Sequence, residues 1–115
     1  MADPKSVLNE MLTINGIREA LIVGRDGFVI EHAGDMDADA AGAIMSTVIG
    51  AVETMGRDLK SGALFQVMAE FDDGTVIVSP IGRDALLGLA AKKEANLGAI
   101  RHTVKKHLPT LERML

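Results

Sequence analysis

Few residues of this chain are spaced to do chemistry. His32, Asp35 and Asp37 bring one imidazole and two carboxylates close together in sequence. As metal ligands they lack a histidine pair and a helical register, so a solvated acidic loop is expected there. His102 and His107 fall on one helical stretch, but their spacing turns them about 140° apart on the wheel. They cannot share a metal without ligands from elsewhere. Ser6, Ser46, Ser61 and Ser79 have no His–Asp pairing visible in the sequence, so nothing marks a nucleophile. Cysteine is absent, which removes disulfides, thiolate zinc sites and thiol catalysis together and agrees with a cytoplasmic location. No Gly-x-x-x-x-Gly-Lys-Ser/Thr occurs, and no Gly-x-Gly-x-x-Gly follows a strand, so a phosphate-cradling loop is missing. The expectation is a protein that is not an enzyme, with no catalytic, cofactor-binding or metal-binding residues.

Composition points the same way. The chain has 115 residues, of which 48% are apolar, enough for one core over residues 1–115 and too many for a disordered chain. Its apolar runs are too short for membrane insertion, and Met1 to Lys5 show no leader pattern. The net charge of −4 is unevenly spread: residues 1–90 carry 6 basic and 14 acidic groups, and residues 91–115 carry 6 basic and 2 acidic groups. The two segments are thus −8 and +4. With Phe28, Phe65 and Phe71 as the only aromatics, base stacking is poorly served and no nucleic-acid partner is expected. A solvated basic face on the last helix is the plainer reading.

The elements that hold these residues follow from capping, periodicity and turn chemistry. Asp3-Pro4 opens a first helix carrying Val7, Leu8, Met11 and Leu12, and Asn15-Gly16 stops it. Ala20–Val23 and Phe28–His32 read as strands joined by the Arg25-Asp26-Gly27 turn. A long helix spans Asp37 to Lys60, capped by Asp37 or Asp39. A third strand spans Ala63 to Phe71. Asp72-Asp73-Gly74 then turns into a fourth, Thr75 to Ser79, ended by Pro80. Ala85–Ala91 is the fifth strand. The last helix spans Glu94 to Leu115, with Pro109 expected to kink or interrupt it. The order α-β-β-α-β-β-β-α, with short hairpins, gives an α+β fold and a largely antiparallel sheet.

The long helix is too apolar for one contact. Ala41, Ile44, Met45, Val48, Val52, Met55 and Leu59 form one stripe, flanked by Ala38, Ile49 and Gly56 with Gly42 at the far edge. The arc is about 180° wide, against the roughly 100° that seats a helix on a sheet. Either the helix is set deep in the core, or one edge meets the sheet and the other a second protein chain. Gly42, Gly50 and Gly56 each cost the helix about 0.8–1.0 kcal/mol relative to alanine. Gly42 and Gly56 flank Ile49, where small side chains allow close approach. Met45 suits core and interface equally. The third strand, including Leu64, Phe65, Gln66, Val67 and Met68, carries little charge. As an edge strand it is poorly defended and could pair with its twin across a two-fold axis; as a central strand it needs no defence.

Four collinear segments resemble the roadblock family, whose members include dynein light chains. They are Gly16–Ile30 around Arg25-Asp26-Gly27, the long helix after its acidic turn, Glu70–Gly82 around Asp72-Asp73-Gly74, and Leu86–Ala91 leading into Asn96–Arg101. The resemblance implies a five-stranded antiparallel sheet in the order 2-1-5-4-3, with the long helix on one face and the terminal helices on the other. It implies homodimers joined through the third strand and the long helix, hence an interface at Gly42, Met45, Ile49, Val52, Gly56 and Leu64 to Met68. It implies a non-catalytic regulator or scaffold for a small Ras-like GTPase; one gliding-motility member accelerates GTP hydrolysis. The N-terminal extension of some eukaryotic members has no counterpart, so the resemblance supplies no membrane tether.

A GTPase regulator can act by inserting an arginine against phosphate charge. Arg25, Arg57 and Arg83 stand near turns or helix ends, but neither spacing nor resemblance assigns a finger, and repositioning of the GTPase fits equally well. The expected docking platform is the outward side of the paired long helices, with Ser46, Gly50, Glu53 and Arg57. The basic face of Arg101, Lys105 and Lys106 is the alternative for an acidic partner. Two other readings remain: a structural adaptor without effect on nucleotide turnover, and a ligand-sensing domain, which the scarcity of aromatic and polar pocket residues disfavours.

Overall fold

Asp3 opens the first element with a reciprocal cap. Its carboxylate accepts from the Ser6 backbone N–H at 2.8 Å, and Ser6 Oγ accepts from the Asp3 N–H at 3.0 Å. This leaves Pro4 at the first helical position, where its missing N–H costs nothing. The computed structural model describes residues 3–115; Met1 and Ala2, the start of the stretch read for a leader pattern, lie outside them. The elements are α1 (Pro4–Leu12), β1 (Ile17–Gly24), β2 (Val29–Ala33), α2 (Ala38–Asp58), β3 (Val67–Phe71), β4 (Gly74–Ile81), β5 (Ala85–Lys92) and α3 (Leu97–Met114).

The strands form one antiparallel sheet in the order β2-β1-β5-β4-β3, as the resemblance implied. Gly27 has a φ of +90° in the β1–β2 turn, the conformation that glycine adopts without strain. The core is split by the sheet. On one side Ile22, Ile77, Leu87 and Leu89 pack with Leu8 and Met11 of α1 and Ile100, Val104 and Leu111 of α3. On the other, Leu21, Val23, Val78 and Leu86 pack with Met45 and Ile49 of α2. Alternate residues of β1 thus feed opposite cores, which is why Ala20–Val23 is buried without interruption.

Several boundaries differ from the sequence reading. Of the two expected caps Asp37 is the one used, its carboxylate accepting from the Ala40 N–H at 3.2 Å, and α2 ends at Asp58 rather than Lys60. α3 begins at Leu97, because Asn96 caps it through the Ala99 N–H at 3.0 Å. Pro109 does not interrupt α3. β4 runs through Pro80 to Ile81. β3 begins opposite Val78, so Pro80 lies beyond its reach, where β4 has β5 as a neighbour on one side only and a missing donor is tolerated. β3 begins at Val67, not Ala63, and Leu64, Phe65 and Gln66 belong to the irregular connection from α2. Low charge continues through that connection, so composition does not mark where the ladder starts.

Candidate functional site

The wheel of α2 gives the width of its apolar arc but not its direction. Gly42, Met45 and Ile49, expected at a seam between chains, are buried against the sheet of their own chain. Gly42 marks the approach: a Cβ there would stand 3.1 Å from Val29 Cγ2 and 3.3 Å from Val23 Cγ1. The glycine therefore serves helix–sheet packing. Val52 and Gly56 continue that line, half-buried. Of the apolar stripe only Met45 and Val52 lie on this line; Ile44, Val48, Met55 and Leu59 centre about 90° away from it. Ile44 is 64% exposed and Met55 54%, with Val48 and Leu59 also open to solvent.

That uncovered edge borders β3. α2 packs on β1, β2, β4 and β5, while among the described residues β3 pairs with β4 alone and forms the rim of the sheet. Between helix and rim lies a trough of about 270 Å³ lined only by apolar residues, among them Ile44, Met45, Val48, Val67, Ala69, Phe71 and Val76. Phe71 is 66% exposed, and Phe65 in the connection before β3 is 80% exposed. Leu64, Gln66, Val67 and Met68 are half-buried. Leu64 also lines a second hollow of about 360 Å³ at the C-terminal end of α2, with Met55 and Leu59. Together these residues make a contiguous apolar surface of the kind that marks interaction sites. Helical spacing puts Ile44, Val48 and Met55 on one stripe but does not show that they are open, and nothing in the spacing links them to Phe71. A β3 placed as an edge strand beside α2 is what brings them together.

Of the four residues expected on the outward side of α2, Gly50 and Arg57 are exposed and Ser46 and Glu53 are not fully so. Gly50 is fully open: a Cβ there would meet nothing within 4 Å. Arg57 is exposed and donates to Thr54 Oγ1 at 3.1 Å. Ser46 and Glu53 are half-buried at the border with the β1–β2 hairpin. Glu53 is no free platform charge. Arg25 donates to both its oxygens, one contact being 3.1 Å and the other, Nη1 to Oε1, shorter. The Arg25 hydrogen bond holds the Glu53 carboxyl below the ordinary glutamate value, against the opposing effect of burial; the charges of Arg25 and Arg57 add to the lowering. Arg25 is thereby fixed to α2, whereas Arg83 is exposed at the β4–β5 turn.

The loop before α2 is organised rather than merely solvated. Glu19 of β1 accepts from the backbone N–H groups of Asp35 at 2.8 Å and Met36 at 3.1 Å, and its other oxygen lies 3.3 Å from His32 Nε2. His32 is thus directed at Glu19. Among the described residues no group of three or more His, Cys, Asp or Glu is placed to hold a metal, and no helix is long and apolar enough to cross a membrane.

Comparison with known proteins agrees with this architecture. The chain is 34% identical over 110 residues to protein MJ0310 of Methanocaldococcus jannaschii, covering 94% of this chain and 96% of that one. Protein MJ0714 of the same organism is 33% identical over 110 residues, covering 94% and 92%. A Roadblock/LC7 domain from Streptomyces avermitilis superposes with a TM-score of 0.91 at 20% identity, covering 97% of each chain. The gliding protein MglB of Thermus thermophilus does so with a TM-score of 0.87 at 24% identity, covering 95% of this chain and 85% of that one. At these identities the two structures speak for the fold alone. The family model of the Roadblock/LC7 domain matches residues 5–91, and the chain belongs to that family.

Proposed function

We propose that this chain works as a single roadblock-like domain, a non-catalytic cytoplasmic homodimer that docks a small Ras-like GTPase and regulates or positions it. The observation that carries the dimer is the apolar surface of Ile44, Val48, Met55, Phe65 and Phe71 beside the unpaired edge of β3. Burying one large apolar side chain is favourable by about 1.5–3 kcal/mol, so leaving this set in water is costly. A second copy related by a two-fold axis through β3 would pair the edges, continue the sheet and lay the two α2 helices side by side. The GTPase assignment rests on family membership, and the lack of a phosphate loop or paired catalytic groups supports a role without catalysis. In the dimer the exposed side of α2, with Gly50 and Arg57, forms the docking platform, bordered by Ser46 and Glu53.

The test has two parts. Light scattering at micromolar concentration should give twice the 12.2 kDa chain mass; a 12.2 kDa species throughout that range overturns the dimer. GTP hydrolysis by a Ras-like GTPase encoded beside this protein should then be measured while the protein is titrated in, with binding followed by calorimetry. Binding with altered turnover supports a regulator. Binding with unchanged turnover makes it a scaffold. No binding overturns the GTPase reading.

A further inference from the structure

The function proposed above uses α2 and β3 and leaves α3 unexplained. Ile100, Val104 and Leu111 bury one side of this helix. Arg101, Lys105, Lys106 and Arg113 are all exposed, and at 100° per residue they fall within an arc of about 140° on the opposite side. The exposed acid within that arc, Glu112, leans over the β4–β5 turn: its Oε1 would stand 3.0 Å from a Cβ at Gly82. On the neighbouring α1, Lys5 is turned toward β2, donating to the His32 carbonyl with Glu31 4.0 Å away. Glu10 is the acid that α1 exposes beyond its cap.

We propose that the outer face of α3 docks on the headgroups of an anionic lipid bilayer, by electrostatic adsorption without insertion. The side chains on this face decide among polyanions. It exposes lysine and arginine with no aromatic residue among them, whereas protein interface cores are depleted in lysine and enriched in aromatics. Single-stranded nucleic acid would want stacking platforms that the face lacks. A planar surface asks only for several cations on one side of the molecule. Nothing on α3 can insert, because its apolar side already fills the core under the sheet.

The overall charge of −4 does not oppose this contact. The molecule is 26 Å across its shortest axis, and the Debye length at physiological salt is about 8 Å. Acids on the far α2 side, such as Asp39 and Asp58, are therefore screened from a bilayer that meets α3. The inference stands on one chain. If the dimer proposed above forms, the two α3 helices lie on the same face of the continued sheet, so both basic arcs address one plane while the α2 platform faces away.

The experiment is co-sedimentation of the full chain with phosphatidylcholine vesicles and with vesicles containing one-third phosphatidylserine. Adsorption should require phosphatidylserine and weaken as salt rises. Lys105→Ala and Lys106→Ala should each cost about fivefold in partitioning for a monomer and about 25-fold for a dimer that loses two lysines, whereas Lys60→Ala at the end of α2 should change nothing. Circular dichroism and light scattering in the same buffer confirm that each variant is folded and report its size. A folded monomer that still adsorbs overturns the dimer and leaves α3 standing. A dimer that does not adsorb overturns the α3 proposal alone. Equal binding to pure phosphatidylcholine, binding indifferent to Lys105 and Lys106, or tighter binding to a DNA duplex at the same salt through these lysines also overturns it.

Discussion

Arg25 and Glu53, 28 residues apart in sequence, face each other as a two-pronged ion pair that ties the tip of the β1–β2 hairpin to α2. Their side chains are 30% and 27% exposed, so the pair is shielded from water but not sealed. Glu53→Ala leaves Arg25 half-buried without its partner and should destabilise the chain by about 1–2 kcal/mol. A double-mutant cycle with Arg25→Ala, read by urea unfolding, should show favourable coupling; strict additivity would mean that the pair contributes nothing.

The same pair makes a pH prediction. The Glu53 pKa is lowered in the folded chain, chiefly by the Arg25 hydrogen bond, so its contribution is present above the unfolded glutamate value of about 4.3. It is lost as pH falls through the folded value. The stability advantage of wild type over Glu53→Gln should therefore be constant above about pH 5 and shrink at more acid pH. Parallel unfolding profiles for the two proteins across that window would refute it.

Two substitutions on neighbouring positions of α2 should separate fold from assembly. Ile49 is 0% exposed, and Ile49→Asp buries a charge without a partner, which costs several kcal/mol. The chain should lose its cooperative thermal transition. Val48 lies on the open edge of α2, so Val48→Asp should leave a folded chain that runs as a monomer. A folded, dimeric Val48→Asp protein would place the interface elsewhere.

Gly50 sits inside α2 with open space around the position of a Cβ. Gly50→Ala should raise stability by about 0.8–1.0 kcal/mol through helix propensity alone. If the α2 platform receives a partner, Gly50→Arg should weaken that complex and leave the dimer unchanged. Stabilisation by alanine with no effect of arginine on the complex would move the docking site off this face.

Ser79 is buried in β4, and its Oγ has no hydrogen-bond partner among the described residues. A hydroxyl without a partner in the core is unfavourable. Ser79→Ala should be neutral or stabilising by up to about 1 kcal/mol. A clear loss of stability in denaturant melts would show that the hydroxyl is satisfied in solution.

The sequence by itself determined the elements and their family. Asp3-Pro4, the two Asp-Gly turns and the spacing of Val7, Leu8 and Met11 act within a few residues of themselves, so their physics is local and legible. The strand order came from the ordered resemblance of four segments, and the sheet has that order. Tertiary structure alone decided which flank of α2 meets the sheet. Both flanks are apolar, and periodicity is silent on direction; the close approach at Gly42 to Val23 and Val29 breaks the tie. It also decided that Glu53 is bound to Arg25, that Glu19 gathers the loop before α2, and that β3 starts at Val67. Those outcomes depend on contacts between residues distant in sequence, and a ladder or an ion pair leaves no local signature at either of its ends.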